Sequence, residues 1–341
     1  MHAVSQQVAQ KPSIVRRFVG WLPTEVTRRV RVFAWLSLIS QTLIVGTGGA
    51  VRLTGSGLGC PTWPRCTEES FVATPEMGIH GVVEFGNRLL TFVLIIIAIV
   101  AFLFVVRMRS TRPELLRLTV ALGLGIPAQA IIGGITVLTN LNPYVVGLHF
   151  VVSAVLVALA TVFVARVYRG RKVDTFVVDA RFRFVAALTA VGVWITVLVG
   201  ILVTGSGPHA GDEGAARNGL DSELLQHIHS WPAYVTGVLS LLLLVWAFRV
   251  PRRGLRIATV GLVATEAVQI VVGISQARLG LPELLVGIHM VLACVLVAVM
   301  TLVLVLQRPG GRELEGQQRI DADGDEEERQ VRDARVEHLH R

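Results

Sequence analysis

The chain has 341 residues, 52% of them hydrophobic and only 16% charged, with a mean hydropathy of +0.62. A water-soluble domain cannot bury that much apolar surface in one core, so lipid is the expected solvent. The net charge of +8 does not mark a nucleic-acid binder, because the Lys and Arg residues fall in alternate connections and form no single patch, and so report topology.

The first 30 residues are polar and basic, unlike the short apolar core and small-residue cleavage site of a signal peptide, so the first span is expected to be retained. Eight stretches of roughly 20 residues or more are long enough to cross a hydrocarbon layer of about 30 Å as helices. They are 32–51, 79–106, 115–139, 144–168, 184–204, 224–248, 255–277 and 283–306. Arg16, Arg17, Arg28, Arg29 and Arg31 precede the first, and Arg107, Arg109 and Arg112 follow the second. Arg166, Arg169, Arg171, Lys172, Arg181 and Arg183 lie between spans four and five, and Arg249, Arg252, Arg253 and Arg256 between six and seven. The other connections carry few positive charges, so the positive-inside rule predicts both termini in the cytoplasm. The last residues mix Asp, Glu and Arg with almost no large apolar side chains and are expected to form a solvated, disordered tail. His338 and His340 in that tail are not expected to hold metal.

The second half resembles the first. Gln129, Gly133, Gly147 and His149 align with Gln269, Gly273, Gly287 and His289 at a spacing of 140, and Leu-Val-Ala at 156–158 recurs at 296–298. Thr-Gly-Ser-Gly after span one, 54–57, recurs after span five at 204–207. Both halves begin with a span running outward, which makes them parallel repeats about an axis along the membrane normal. The predicted fold is an all-α membrane protein whose eight transmembrane helices form two parallel-repeat four-helix bundles. Residues 1–31 form a cytoplasmic segment, 32–168 the first unit, 169–183 a cytoplasmic linker, 184–306 the second unit and 307–341 the charged tail.

An ionisable or polar side chain inside a span is costly unless it faces the bundle interior, so each is a functional candidate. His149 and His289 lie about two turns into their helices at equivalent depth. In Gln226-His227-Ile228-His229 the two histidines are about 200° apart on a helix, so only one can face inward. Gln226 and His229 share a face and fall, at an offset of 142, on Glu84 and Asn87 of span two. His229 is therefore the candidate ligand and His227 a headgroup or loop residue. His229 and His289 at matching depth suit a haem iron held from both sides inside a bundle, whereas zinc would need more ligands than are visible.

The first unit offers His149 but has Asn87 where the repeat predicts His, so its site is chemically different. His80 lies within about 20° of the same face and can serve as a displaced ligand or as an interfacial cap. Glu84, one turn inside a span, is a candidate proton-transfer group, with an ion pair to Arg88 at i+4 as the structural alternative. Cys60 and Cys66 bound an outer loop, Cys-Pro-Thr-Trp-Pro-Arg-Cys, where a disulfide is plausible. Cys294, inside span eight, reads as packing.

Residues 30–306 resemble the heme A synthase family, membrane enzymes that oxidise a methyl group of heme O to the formyl group of heme A. The carriers are Gly-Gly-Ala-Val-Arg-Leu-Thr-Gly-Ser-Gly-Leu-Gly-Cys-Pro at 48–61, Cys66, the segment 84–88, and His149, His229 and His289. The resemblance implies protoheme (heme b) on His229 and His289 and substrate heme O in the first unit near His149, with His80 as a tentative second ligand. It also implies a catalytic Glu84 with Asn87 and Arg88 beside the substrate, and a cysteine pair Cys60 and Cys66. The departure is Asn87, where many members carry His, and it puts bis-histidine ligation of the substrate in doubt. Two successive oxidations, with a hydrated aldehyde losing water, are implied for the formation of heme A for cytochrome oxidase. A heme O synthase and an electron donor or acceptor are implied as partners in the plasma membrane, besides lipid, and association into a homo-oligomer is left open. The competing readings are a cytochrome b-like electron-transfer protein, which would need no acid beside its site, and a parallel-repeat transporter, whose mid-membrane helix breaks are hard to find beyond Pro127 and Pro232.

Overall fold

The computed structural model describes residues 20–169, 178–209 and 211–307. Arg16, Arg17, Arg171, Lys172, His338, His340 and almost all of the charged tail lie outside them. The described residues contain eight helices long and apolar enough to cross a membrane. They are α1 Arg28–Leu53, α2 Gly78–Val105, α3 Pro113–Leu138, α4 Pro143–Tyr168, α5 Ala180–Ser206, α6 Ser222–Ala247, α7 Arg253–Arg278 and α8 Glu283–Leu306. The predicted spans all reappear, most of them starting a few residues earlier than predicted and ending within a residue or two of the predicted end.

Local chemistry sets the boundaries. The side chains of Asn142, Asp179 and Asp221 accept from backbone N–H groups in the first turns of α4, α5 and α6, satisfying donors that a helix start leaves unpaired. Pro113 and Pro143 open α3 and α4, where no intrahelical N–H is needed. α1 stops at Gly55, whose φ of +64° lets Ser56 N–H reach the Val51 carbonyl at 2.9 Å.

The first four helices close a ring in which α1 packs on α2, α2 on α3, α3 on α4 and α4 on α1. The last four do the same, and among the described residues the backbones of the diagonal helices of each ring stay apart. α1, α4, α5 and α8 form the seam between the rings. There Gly147 receives Ile201 and Gly287 receives Leu53, so two of the recurring glycines let a helix of one ring approach the other.

Several contacts recur at the spacing of 140. Leu141 N–H bonds the Thr136 carbonyl and Leu281 N–H the Gln276 carbonyl, both at 2.8 Å, and both leucines have positive φ. Arg112 donates to the Arg166 carbonyl at 2.7 Å and Arg252 to the Leu306 carbonyl at 2.9 Å, tying the last turns of α4 and α8. One sequence parallel does not hold. Thr54 to Gly57 leaves the helix, while Thr204 to Ser206 continues α5 by one more turn, because Gly205 stays helical and packs against Pro143 and Asn218.

Each ring has its apolar core in the half nearer the arginine-rich connections. Phe104, Leu115 and Phe163 lie in one core, and Phe182, Leu243, Leu262 and Met300 in the other. The outward faces carry exposed Leu43, Ile96, Leu124, Val235, Val271 and Leu284, as lipid contact requires. Polar groups collect at the opposite end, where the four connections of that side meet.

Arg52 at the end of α1 donates to the Thr204 carbonyl at 3.0 Å and the His209 carbonyl at 2.7 Å. Gly57 N–H reaches the Gly211 carbonyl, and the His209 ring reaches the Leu281 carbonyl at 2.8 Å. Charged hydrogen bonds of this kind contribute about 1.5–3 kcal/mol. Arg52→Met is therefore expected to lower the thermal midpoint and to speed proteolytic cleavage within 207–221, read by limited proteolysis of the detergent-solubilised protein; an unchanged cleavage rate would contradict this account of the end cap.

Candidate haem-ligating site

α6 and α8 occupy opposite corners of the second ring, and His229 and His289 reach across the space between them. Their ring centres are 6.4 Å apart with the planes at 71°. Each imidazole rests on a glycine of a neighbouring helix. A Cβ added to Gly200 of α5 would lie 2.9 Å from His229 Cε1, and one added to Gly273 of α7 would lie 3.1 Å from His289 Cε1. Gln269 donates to the His289 backbone carbonyl at 3.1 Å, which holds that turn of α8 against α7.

The His229 and His289 Nδ1 atoms are buried without a hydrogen bond of good geometry, and the Thr196 carbonyl lies alongside the His229 ring. A metal–imidazole bond is about 2.0 Å, so two rings on one ion, each with its centre roughly 1 Å beyond the bonded nitrogen, have centres about 6 Å apart. The observed spacing fits an iron between them. Among the described residues no three His, Cys, Asp or Glu side chains converge; a porphyrin iron, which asks for only two protein ligands, suits this donor set. His227, two residues away, is exposed.

The first ring repeats half of this arrangement. A Cβ added to Gly133 would lie 3.2 Å from His149 Cε1, the His149 Nδ1 is buried and unbonded, and Gln129 donates to the His149 backbone carbonyl at 3.1 Å and to the Ser153 hydroxyl. No second imidazole stands against His149 among the described residues. Asn87 of α2 instead accepts from the Thr47 hydroxyl at 2.7 Å, which binds α2 to α1. His80 is exposed at the start of α2, and its Nδ1 is 2.8 Å from the Ser56 hydroxyl.

Glu84 is 5% exposed, and both its oxygens are engaged. Oε2 accepts from Cys60 N–H at 2.6 Å, and Oε1 pairs with Arg88. Arg88 also donates to the Cys60, Thr62 and Arg65 carbonyls. The ion pair weighed from the sequence is present, and it anchors the connection closed by the Cys60–Cys66 disulfide. That connection lays Trp63 onto Gly134, the neighbour of the glycine under His149. It therefore covers the mouth of the first ring. Cys294 is buried against Val45 and Val157.

Two positions that the structure places beside these sites were not singled out from the sequence. Trp63 has no signal beyond lying between two cysteines. Glu266 of α7 did have one, being a carboxyl group at the middle of an apolar span.

These features define a multi-pass helical membrane protein with half-buried histidines paired inside one of its two rings. Residues 31–301 match the family described as Cytochrome oxidase assembly protein (COX15-CtaA), and the chain belongs to it. Among similar proteins, one named heme A synthase from Listeria welshimeri is 28% identical over 182 residues, 51% of this chain and 58% of that protein. Another of that name from Staphylococcus epidermidis is 24% identical over 219 residues, 62% of this chain and 72% of that protein. A third, from Geobacillus thermodenitrificans, is 32% identical over 108 residues, 32% of this chain and 33% of that protein. The chain thus spans 58% of the length of the Listeria relative.

Proposed function

We propose that this protein is a heme A synthase, an oxidoreductase that converts a methyl group of heme O to the formyl group of heme A, with heme b resident between His229 and His289 and the substrate haem received by the first ring beside His149. The observation that carries the reading is the imidazole pair at 6.4 Å. Family membership and the names of the similar proteins support it. The resident group supplies one-electron chemistry when bound.

The other roles belong to the chain. Glu84 and Arg88 hold the disulfide-closed connection over the first ring, and Glu84 is the carboxyl group placed to handle protons of the reaction. With Asn87 in place of a histidine, the substrate haem would be held by His149 with His80, a weak partner or an open position opposite, and such a site suits a reaction that must admit an oxidant. The arginine-rich end faces the cytoplasm of the plasma membrane, both termini included, so both haem sites lie in the outer half. A heme O synthase and an electron donor or acceptor are the partners this activity requires. The two rings are parallel repeats, 32–168 and 184–306, with 1–31, 169–183 and 307–341 on the cytoplasmic side.

Extraction of haem from the purified protein tests the reading, with heme b expected in near-stoichiometric amount and farnesylated haem beside it. The glycine seats give a sharper version. A Cβ at Gly200 or Gly273 overpacks the ring by about 1–3 kcal/mol, so Gly200→Ala and Gly273→Ala are expected to weaken heme b retention roughly 5- to 150-fold. Gly261→Ala, whose Cβ would meet only Val299 at 3.6 Å, should retain it. Equal haem content in all three variants would contradict this seating of the ligands.

A further inference from the structure

Glu266 lies at the midpoint of α7 and is 8% exposed. Its Oε1 accepts from the Ser240 hydroxyl of α6 at 2.7 Å, and Ser240 is fully buried. Thr236, one turn along α6 toward His229, is buried as well. One turn along α7 in the same direction stands Gln269, which holds the His289 carbonyl. A carboxyl group, two hydroxyls and an amide therefore occupy the interior between the apolar core of the second ring and its histidine pair.

The first ring shows the same position filled by apolar side chains. At the same offsets, 142 for α6 and 140 for α7, Thr236, Ser240 and Glu266 correspond to Leu94, Ala98 and Ile126. Those three are buried and pack together as one apolar cluster. The helix arrangement is thus met by apolar side chains, and the second ring carries three polar ones that the fold does not require. A lone ionisable group inside an apolar bundle is costly and persists where its charge state is used.

Its surroundings leave little else to compensate a charge. Among the described residues α7 packs only on α6 and α8. On α6, Glu223 and His227 lie at the far end and Tyr234 is exposed. On α8, Glu283 is in the first turn and Cys294 is turned to Val45 and Val157. On α7 itself Arg253, Arg256 and Arg278 lie in the first and last turns. His229 and His289 are the remaining ionisable groups facing the interior.

We propose that Glu266, held by Ser240, exchanges a proton with water in step with the oxidation state of the haem carried by His229 and His289. When a one-electron donor reduces the ferric iron to ferrous, the carboxylate takes one proton from bulk water; when the iron is reoxidised, the carboxyl group returns that proton. The charge added to the bundle is cancelled within it. This rests on the bis-histidine reading of the second ring.

The test is a spectroelectrochemical titration of the purified haem-loaded protein between pH 6 and 9, the electrode supplying electrons through mediators. One proton per electron changes the reduction equilibrium tenfold per pH unit, about 59 mV for a one-electron couple. The wild-type midpoint is expected to fall toward that slope over part of the range. Glu266→Gln, which keeps an acceptor for Ser240 without a titrating proton, and Glu266→Ile, which copies the first ring, are both expected to flatten it. A flat wild-type profile, or a slope that survives in either haem-loaded variant, overturns the proposal. Failure of the site reading is distinguishable, because haem would then remain bound after loss of His229 or His289, whatever the slope.

Discussion

Replacing His289 with Ala is expected to yield a membrane-inserted protein that purifies without heme b, and His229→Ala is expected to do the same. In the proposed site each imidazole would hold one side of the iron across the space between α6 and α8, whose backbones stay apart. Removal of either leaves a single imidazole and a gap beside its glycine seat. His227→Ala is the control, since that residue is exposed and should keep a normal haem absorbance. His149→Ala should retain heme b while losing the second, farnesylated haem. A His227 variant that lost the haem beside a His229 variant that kept it would show that the wrong face of α6 has been assigned inward.

Glu84→Gln is expected to keep heme b and to lower heme A formation roughly 10²- to 10⁴-fold, the usual span for loss of a proton-transfer group. The carboxylate has two tasks in the geometry, an ion pair with Arg88 and acceptance from Cys60 N–H, and the amide retains only the second. Arg88→Ala separates anchoring from proton chemistry. It leaves a buried carboxylate without its cation, at a cost of about 3–5 kcal/mol, and frees the carbonyls of Cys60, Thr62 and Arg65. The expected result is loosening of the loop, seen as faster cleavage near Trp63 and a lower thermal midpoint. Full activity in Glu84→Gln, read by chromatography of extracted haem, would reduce Glu84 to an anchor of the loop.

The helices and the pairing of His229 with His289 could be read from the sequence because each depends on local or periodic information. Apolar length defines the spans, a helical period separates His227 from His229, and a fixed offset joins positions of equal depth. What escaped depends on where distant segments meet. Arg52 reads as one residue of a motif, yet its partners are carbonyls of residues 204 and 209, and nothing local in 48–61 names them. The covering of the first ring by Trp63 likewise needs the fold of the loop onto α3.

Thr204 to Gly207 shows the reverse, an identical tetrapeptide that ends one helix and extends the other because its packing neighbours differ. Glu266 is a different kind of miss. Its charge stands in the sequence, but a count of charges over a span lets one carboxyl group pass, and its equivalence to Ile126 carries meaning only once Leu94, Ala98 and Ile126 are seen to touch.

The most direct test is chromatography of haem extracted from a host that makes heme O but no heme A, with and without this chain. The account requires a heme A peak that appears with the wild-type chain, vanishes with His149→Ala and is absent from the empty host. A wild-type extract holding heme b and unchanged heme O alone, from membranes where the chain is inserted and carries its haem, would contradict it and leave an electron carrier in its place.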